Sequence, residues 1–263
     1  MDTLYIIKIG GNIIDDDSKL KLFLKNFAQI PGNKILIHGG GKIATEISKG
    51  LGIQPQLIDG RRITDAESLK VVTMVYAGLI NKNIVAQLQA SNCNAIGLTG
   101  ADANCIPAQK RKVGAIDYGF VGDIEPANVN AIGLQSLLQQ NFTPVLAPIT
   151  HDGKGNLLNT NADTIAATLA IALAKLFKVH LVYCFEKKGV LRDVNDDASV
   201  IPEISPSTYQ QLRDAGIIAQ GMIPKMDNAL QALKQGVEAV YIAHADDIIS
   251  ITKKEPAGTV LHL

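Results

Sequence analysis

Cysteine is scarce in this chain of 263 residues. Cys93, Cys105 and Cys184 are odd in number and show no C-x-x-C spacing, so neither a disulfide framework nor a zinc site is expected. A surplus of one charge is missing too. Lys plus Arg and Asp plus Glu both number 25, which removes the positive excess on which nucleic-acid affinity rests. The longest apolar run, around IAATLAIALA at 165–174, falls far short of the ~20 residues that a membrane span needs. No leader-like segment precedes the first strand, which begins almost at Met1, and the expectation is a cytoplasmic protein with no nucleic-acid or membrane partner. The five histidines have no metal-ligand spacing, and no G-x-S-x-G motif is present. Core material is abundant: 47% of residues are hydrophobic and 19% charged, enough for one large domain or two lobes around a cleft.

The pattern along the chain opens as strand, helix, strand, helix. TLYIIKIGG (3–11) is a β-branched apolar run stopped by glycines, hence a buried strand. Residues 17–30 place Leu20, Leu22, Phe23, Phe27 and Ile30 at roughly helical spacing, with capping candidates from Asp15 to Ser18. KILIHGGG is a second strand and KIATEISKGLG a helix closed by Gly52. This rhythm predicts a parallel sheet covered by helices. A long periodic segment follows at 65–90, then strands at 95–100 and 142–149, with hairpins predicted between them and again at 151–163. NADTIAATLAIALAKLF reads as a buried helix. Near 176 the pattern starts afresh, with a strand FKVHLVYCF, helices near 205–215 and 225–235, and strands AVYIA and GTVLHL. The change near 176 reads as a boundary between lobes that share a sheet.

LIHGGGKIATEI, residues 36–47, places three glycines between a strand and a helix, where a backbone can approach an anion closely. The P-loop template fails, because Ile43 follows Lys42 and Leu36 stands in place of the first glycine. The dinucleotide fingerprint fits as Gly39, Gly41 and Ala44, with Asp59 about 20 residues on as a ribose acid. A strand end that presents N–H groups to any anion fits as well.

Other residues raise the same choice. Lys8 is a charge inside a buried strand, costly unless paired; it is either a snorkelling edge lysine or part of an anion site at the strand's carboxyl end. Arg61 and Arg62 are either solvated or placed to clamp a carboxylate. In NTNAD (159–163), Asn161 and Asp163 suit a helix start by themselves, which leaves Asn159 unexplained. Pro224 suits a first helical turn, whereas Lys225 is unfavourable there unless an anion lies nearby. His38, inside a strand, reads as a hydrogen-bonded core residue.

Taken in order, K-x-G-G from Lys8, H-G-G-G from His38, G-x-R-x-T from Gly60, N-x-N-A-D from Asn159 and G-M-x-x-K from Gly221 resemble the amino acid kinase family. The likeness runs from Leu4 to Leu263, and GLTGADANCI (97–106) with GFVGDI (119–124) points to the branch acting on acylated glutamate. The resemblance implies a three-layer α/β/α sandwich with a mainly parallel central sheet in two lobes. Residues 1–176 would bind the acyl amino acid and dimerise, and residues 177–263 would bind the nucleotide. It implies ATP-dependent phosphorylation of the γ-carboxylate of an N-acyl-L-glutamate, most closely N-acetyl-L-glutamate, in arginine biosynthesis. Lys8 and Lys225 would stabilise the transferring phosphoryl group and Asp163 would hold them. Gly11, Gly40 and Gly41 would supply N–H groups, Arg62 would grip the α-carboxylate, and Asn159 would bind substrate. Glu186, Lys187, Lys188, Gly189, Val190 and Leu191, with Ile217, Ile218 and Ala219, would line the nucleotide pocket. Mg²⁺ would ride mainly on the ATP phosphates, with no metal site of the protein's own. Glu186 departs from the family, which usually has aspartate there. The resemblance also implies a homodimer paired through the 65–90 helix. The N-terminal helix of arginine-inhibited members is missing before Thr3, and the expectation is a dimer insensitive to arginine. Other enzymes of the family (glutamate 5-kinase, aspartokinase, carbamate or UMP kinase) and a non-catalytic nucleotide or anion sensor are the alternatives.

Overall fold

Strand β1 (Thr3–Ile9) turns its side chains alternately to two buried faces. Leu4 and Ile6 enter one apolar cluster, while Tyr5, Ile7 and Ile9 enter the other, as a strand's period of two requires. In this computed structural model the described residues are 1–58, 60–218 and 222–263.

After the single turn of α1 (Gly11–Ile14), α2 (Asp17–Gln29) starts at Asp16, whose carboxylate accepts from the N–H groups of Ser18 and Lys19. Leu22, expected on its apolar stripe, points outward instead. Strand β2 (Asn33–His38) has a buried lysine at its second position: Lys34 donates to the carbonyls of Ala28 and Ile30 at the end of α2, which satisfies groups that a helix end leaves open. Helix α3 (Gly41–Gly50) stops before Gly52, whose φ of +77° is a left-handed conformation suited to glycine.

A hairpin of β3 (Leu57–Ile58) and β4 (Arg61–Arg62), not expected from the pattern, leads to the helical run Ala66–Ala90. That run is three pieces: α4 (Ala66–Val72), a π-helical segment (Thr73–Ile80) and α5 (Asn81–Ala90). By length and composition alone it could cross a membrane, yet Val72, Val75, Tyr76, Ile80, Ile84 and Leu88 are packed into the second apolar cluster.

Strand β5 (Ala95–Leu98) precedes the hairpin of β6 (Ala108–Lys110) and β7 (Gly122–Ile124). Helix α6 (Ala131–Gln139), β8 (Thr143–Leu146) and the hairpin of β9 (Ile149–His151) and β10 (Leu157–Asn159) follow. Helix α7 (Ala162–Leu173) is buried almost throughout. The remainder comprises β11 (Lys178–Phe185), β12 (Glu203–Ile204), α8 (Pro206–Asp214), α9 (Ile223–Lys234), β13 (Ala239–His244), α10 (Ile248–Thr252) and β14 (Thr259–Leu261). The short β12 and α10 carry too few residues for a periodic signal.

Eight strands form one sheet in the order β12-β14-β13-β11-β1-β2-β8-β5. Among the described residues, the β13–β14 pair alone is antiparallel within it. Helices cover both faces, α7 and α9 against the first cluster and α2, α5 and α10 against the second. The fold is therefore a mainly parallel α/β/α sandwich. The sheet continues across residue 176, because β1 pairs with β2 on one side and with β11 on the other. The chain order thus reverses at β1, and ligands in open α/β sheets bind beyond the carboxyl ends of strands at such a point.

Candidate active site

Lys8 shares the face of Leu4 and Ile6, one residue before the carboxyl end of β1. Helix α7 lies on that face, and its first turn carries Asp163. Its N-cap is Asn161, whose side-chain oxygen accepts from the N–H groups of Asp163 and Thr164. Capping thus accounts for Asn161 and leaves Asp163 free for another task. Its Oδ1 lies 2.7 Å from Lys8 Nζ and its Oδ2 lies 3.6 Å from Lys225 Nζ. Lys225 comes from the first turn of α9, with its ammonium 4.1 Å from the centre of the Phe185 ring. The Tyr183 hydroxyl donates to the Asp163 carbonyl at 3.3 Å. One carboxylate therefore holds two ammonium groups from opposite ends of the chain.

Burial pushes the Asp163 carboxyl up, but Lys8 and Lys225 outweigh it and hold the pKa below the usual carboxylate range. Burial lowers the pKa of Lys225, Asp163 offsets part of the fall, and Lys8 adds to it. The cluster carries two positive charges and one negative charge, a net cation at the floor of a cleft.

A cavity of about 900 Å³ opens over this cluster, and a recess of about 230 Å³ adjoins it. Both are walled by Lys8, Gly10, Gly11 and Lys225. The larger cavity continues past Gly39, Gly40 and Gly41 to Arg62 and Asn159. The smaller passes Asn12, Phe185 and Glu186. Among the described residues, neither α1 at Gly10 nor α3 at Gly40 has a side-chain cap, so the first N–H groups of both helices are left for a ligand.

Gly40 has a φ of +143°, and a Cβ there would collide with Ile80 Cδ1. Arg62 is buried. Its Nη2 donates to the Gly41 carbonyl at 3.0 Å and to Thr45 Oγ1 at 2.7 Å, while Nη1 is buried and has no hydrogen-bond partner among the described residues. Asn159 donates from Nδ2 to Thr64 Oγ1 at 3.0 Å. His38 is a core residue. Its Nδ1 meets the Gly39 carbonyl at 2.8 Å, its Nε2 meets Asn81 Nδ2 at 3.2 Å, and burial brings its pKa down to about 4.

The residues expected around the nucleotide are less gathered. Glu186 reaches the recess and accepts from Asn12 Nδ2 at 2.6 Å. Lys187 is paired with Asp197 at 3.2 Å, and Lys188 is exposed. Gly189 packs where a Cβ would lie 2.7 Å from Thr259 Oγ1, and the Val190 N–H donates to that oxygen. Val190 and Ile218 are buried side chains, while Leu191 and Ile217 are half-buried. Ala219 lies outside the described residues, as does Asp59, the acid of the dinucleotide reading. Sequence reasoning passed over Tyr76, Arg111 and Tyr118, all of which line the larger cavity. Arg111 pairs with Asp123 at 2.6 Å and stacks over Tyr118; both stand on or beside the β6–β7 hairpin, where the local sequence signals turns and no ligand.

The sequence profile of the amino acid kinase family matches residues 3–244. The chain is 59% identical to the acetylglutamate kinase of Cytophaga hutchinsonii over 263 residues, with 99% of each chain covered. It is 56% identical to the acetylglutamate kinase of Phocaeicola vulgatus over 260 residues, covering 99% of this chain and 98% of that one. Among solved structures, the N-acetylglutamate synthase of Neisseria gonorrhoeae, complexed with coenzyme A and N-acetyl-glutamate, superimposes with a TM-score of 0.82 at 21% identity, over 100% of this chain and 59% of that one; at that identity the likeness speaks for the fold alone. With the motifs in order, the sandwich architecture and a profile match over nearly the whole length, the chain belongs to the amino acid kinase family.

Proposed function

We infer that this protein transfers the γ-phosphoryl group of ATP to the γ-carboxylate of N-acetyl-L-glutamate. The observation that carries the reading is the Lys8–Asp163–Lys225 cluster, whose two lysines stand in the wall that two adjoining cavities share. A reaction joining an anionic acceptor to a polyanionic donor needs such a place. The larger cavity takes the acyl amino acid and the recess beside Glu186 takes the phosphate end of ATP. A γ-carboxylate oxygen attacks the γ-phosphorus in line. The bond from that phosphorus to the bridging oxygen breaks, and ADP leaves with the electron pair. The acceptor is already ionised, so no general base is required, and positioning with charge stabilisation carries the rate.

Lys8 and Lys225 stabilise the charge spread over the transferring phosphoryl oxygens. Asp163 keeps the two ammonium groups apart and aimed, being a positioning residue rather than a base. The N–H groups at Gly11, Gly40 and Gly41 orient the reacting oxygens. Arg62 receives the α-carboxylate on its open Nη1, and Asn159 contacts the same substrate. Residues 186–191 and 217–219 approach the nucleotide. Residues 1–176 form the acyl amino acid lobe and residues 177–263 the nucleotide lobe, joined through β1 and β11.

The donor set fits a magnesium ion that ATP itself carries. Both Asp163 oxygens face lysines, and among the described residues no group of three or more His, Cys, Asp or Glu is placed to hold a metal. Mg²⁺ keeps phosphate and water oxygens around it readily; Glu186, which lines the recess, would face its water shell. When bound, it would neutralise charge on the β- and γ-phosphates.

Met74 and Leu79, 56% and 54% exposed, lie on the outer side of the π-helical segment, and they support pairing of two copies across this helix. The test of the function is ADP release with N-acetyl-L-glutamate, glutamate, aspartate, carbamate and UMP as acceptors. Turnover with the acylated substrate alone is expected. Turnover only with another acceptor, or with none, would overturn the reading.

A further inference from the structure

The π-helical segment Thr73–Ile80 separates two ordinary α-helices. Such segments are rare and occur frequently at functional sites. This one aims Tyr76 at the glycine turn. A Cβ built on Gly40 would lie 3.2 and 3.3 Å from Cδ1 and Cε1 of the Tyr76 ring, and one built on Gly41 would lie 3.9 Å from its hydroxyl. The ring thus roofs Gly40, and the phenolic oxygen stands over the start of α3, in the wall of the larger cavity.

Arg62 is its neighbour there, with Nη2 committed to Gly41 and Thr45 and Nη1 buried with no hydrogen-bond partner among the described residues. Burial raises the pKa of the phenol, and Arg62 offsets only part of the rise, so the hydroxyl keeps its proton. A guanidinium has donors only and cannot accept that proton. An O–H group and an N–H group side by side at a cavity wall match the two oxygens of a carboxylate.

We propose that Tyr76 is a substrate-contacting, specificity-determining residue whose hydroxyl, with Arg62 Nη1, binds the α-carboxylate of the acyl amino acid. This rests on the reading that the substrate is an N-acylglutamate.

Tyr76→Phe keeps the ring over Gly40 and removes only the hydroxyl. The two proteins are compared with N-acetyl-L-glutamate and with 4-acetamidobutyrate, which lacks the α-carboxylate. The KM for N-acetyl-L-glutamate should rise about tenfold, as for loss of one hydrogen bond to a charged group. The kcat, the KM for ATP and the kcat/KM for 4-acetamidobutyrate should stay within twofold. Equal losses on both acceptors, a fall in kcat alone, or an unchanged KM would overturn the proposal. Wild-type turnover reads the function, whereas the ratio of variant to wild type reads the clamp, so either can fail alone. Calorimetric binding of N-acetyl-L-glutamate keeps the clamp testable if turnover is absent: equal affinity for the two proteins would overturn it.

Discussion

Lys8 looks misplaced in a buried strand until Asp163 stands beside it. A lysine at this depth would otherwise be costly, and its 2.7 Å pair with Asp163 is the compensation. Lys8→Ala and Lys225→Ala should each fold and lose ~10²–10³ in kcat, the usual effect of removing one preorganised charge-stabilising donor. Steady-state rates alongside thermal melts check this, and wild-type turnover in either variant would take the residue out of the transfer site. His38 supplies a pH test of the core. Its folded pKa of about 4 lies below the ordinary 6.5, so the unfolded chain takes up a proton before the folded one. The stability due to neutral His38 is complete above 6.5 and is lost as pH falls from there through about 4, by on the order of 3 kcal/mol. His38→Asn should be less stable at pH 7, by a margin that shrinks in acid. Urea midpoints that run parallel with pH would contradict the assignment.

At the scale of elements, the glycine turn and the π-helical segment shape each other. Gly40 allows a φ of +143° and leaves room for Ile80 and Tyr76. Gly40→Ala should therefore lose at least ~2 kcal/mol, from backbone strain and overpacking together, along with activity. Adding Ile80→Ala should recover only the steric part, since the strained φ remains. Denaturant unfolding of the single and double variants measures the split. Part of this arrangement was legible in advance: Gly39, Gly40 and Gly41 mark a close backbone approach, and NTNAD marks a helix start. The partners of Gly40 were not legible. Tyr76 and Ile80 read as an ordinary apolar stripe at a period of 3.6, and a shift to π-type hydrogen bonding leaves no trace in that pattern.

For the whole molecule, the outward side of the same segment matters. Met74 and Leu79 are five residues apart, hence neighbours where hydrogen bonds run from i to i+5, and both are exposed. A two-fold dimer built on this face is self-complementary. If two copies pair as proposed, Met74→Lys with Leu79→Lys should give a monomer in sedimentation velocity where the unchanged chain gives a dimer. An unaltered sedimentation coefficient would move the interface elsewhere.

Local pattern was sufficient for the longer strands and helices, though not for the β3–β4 hairpin or the π-helical segment, because strand alternation and helical periodicity are properties of a few neighbouring residues. TLYIIKI, KILIH and FKVHLVYCF could be read as strands, and five ordered motifs identified the class of chemistry. The nucleotide side was harder to read, since a run such as Glu186–Leu191 divides between core packing, an ion pair and the recess according to contacts made elsewhere. Tertiary structure alone decided which groups meet. Lys8, Asp163 and Lys225 are far apart in the chain, and nothing local to any of them names the others. They converge because β1 lies between β2 and β11 at the centre of the sheet, α7 covers that face, and α9 packs against α7. Strand order and helix placement follow from burying both faces of the sheet at once, a condition that the whole chain has to satisfy together.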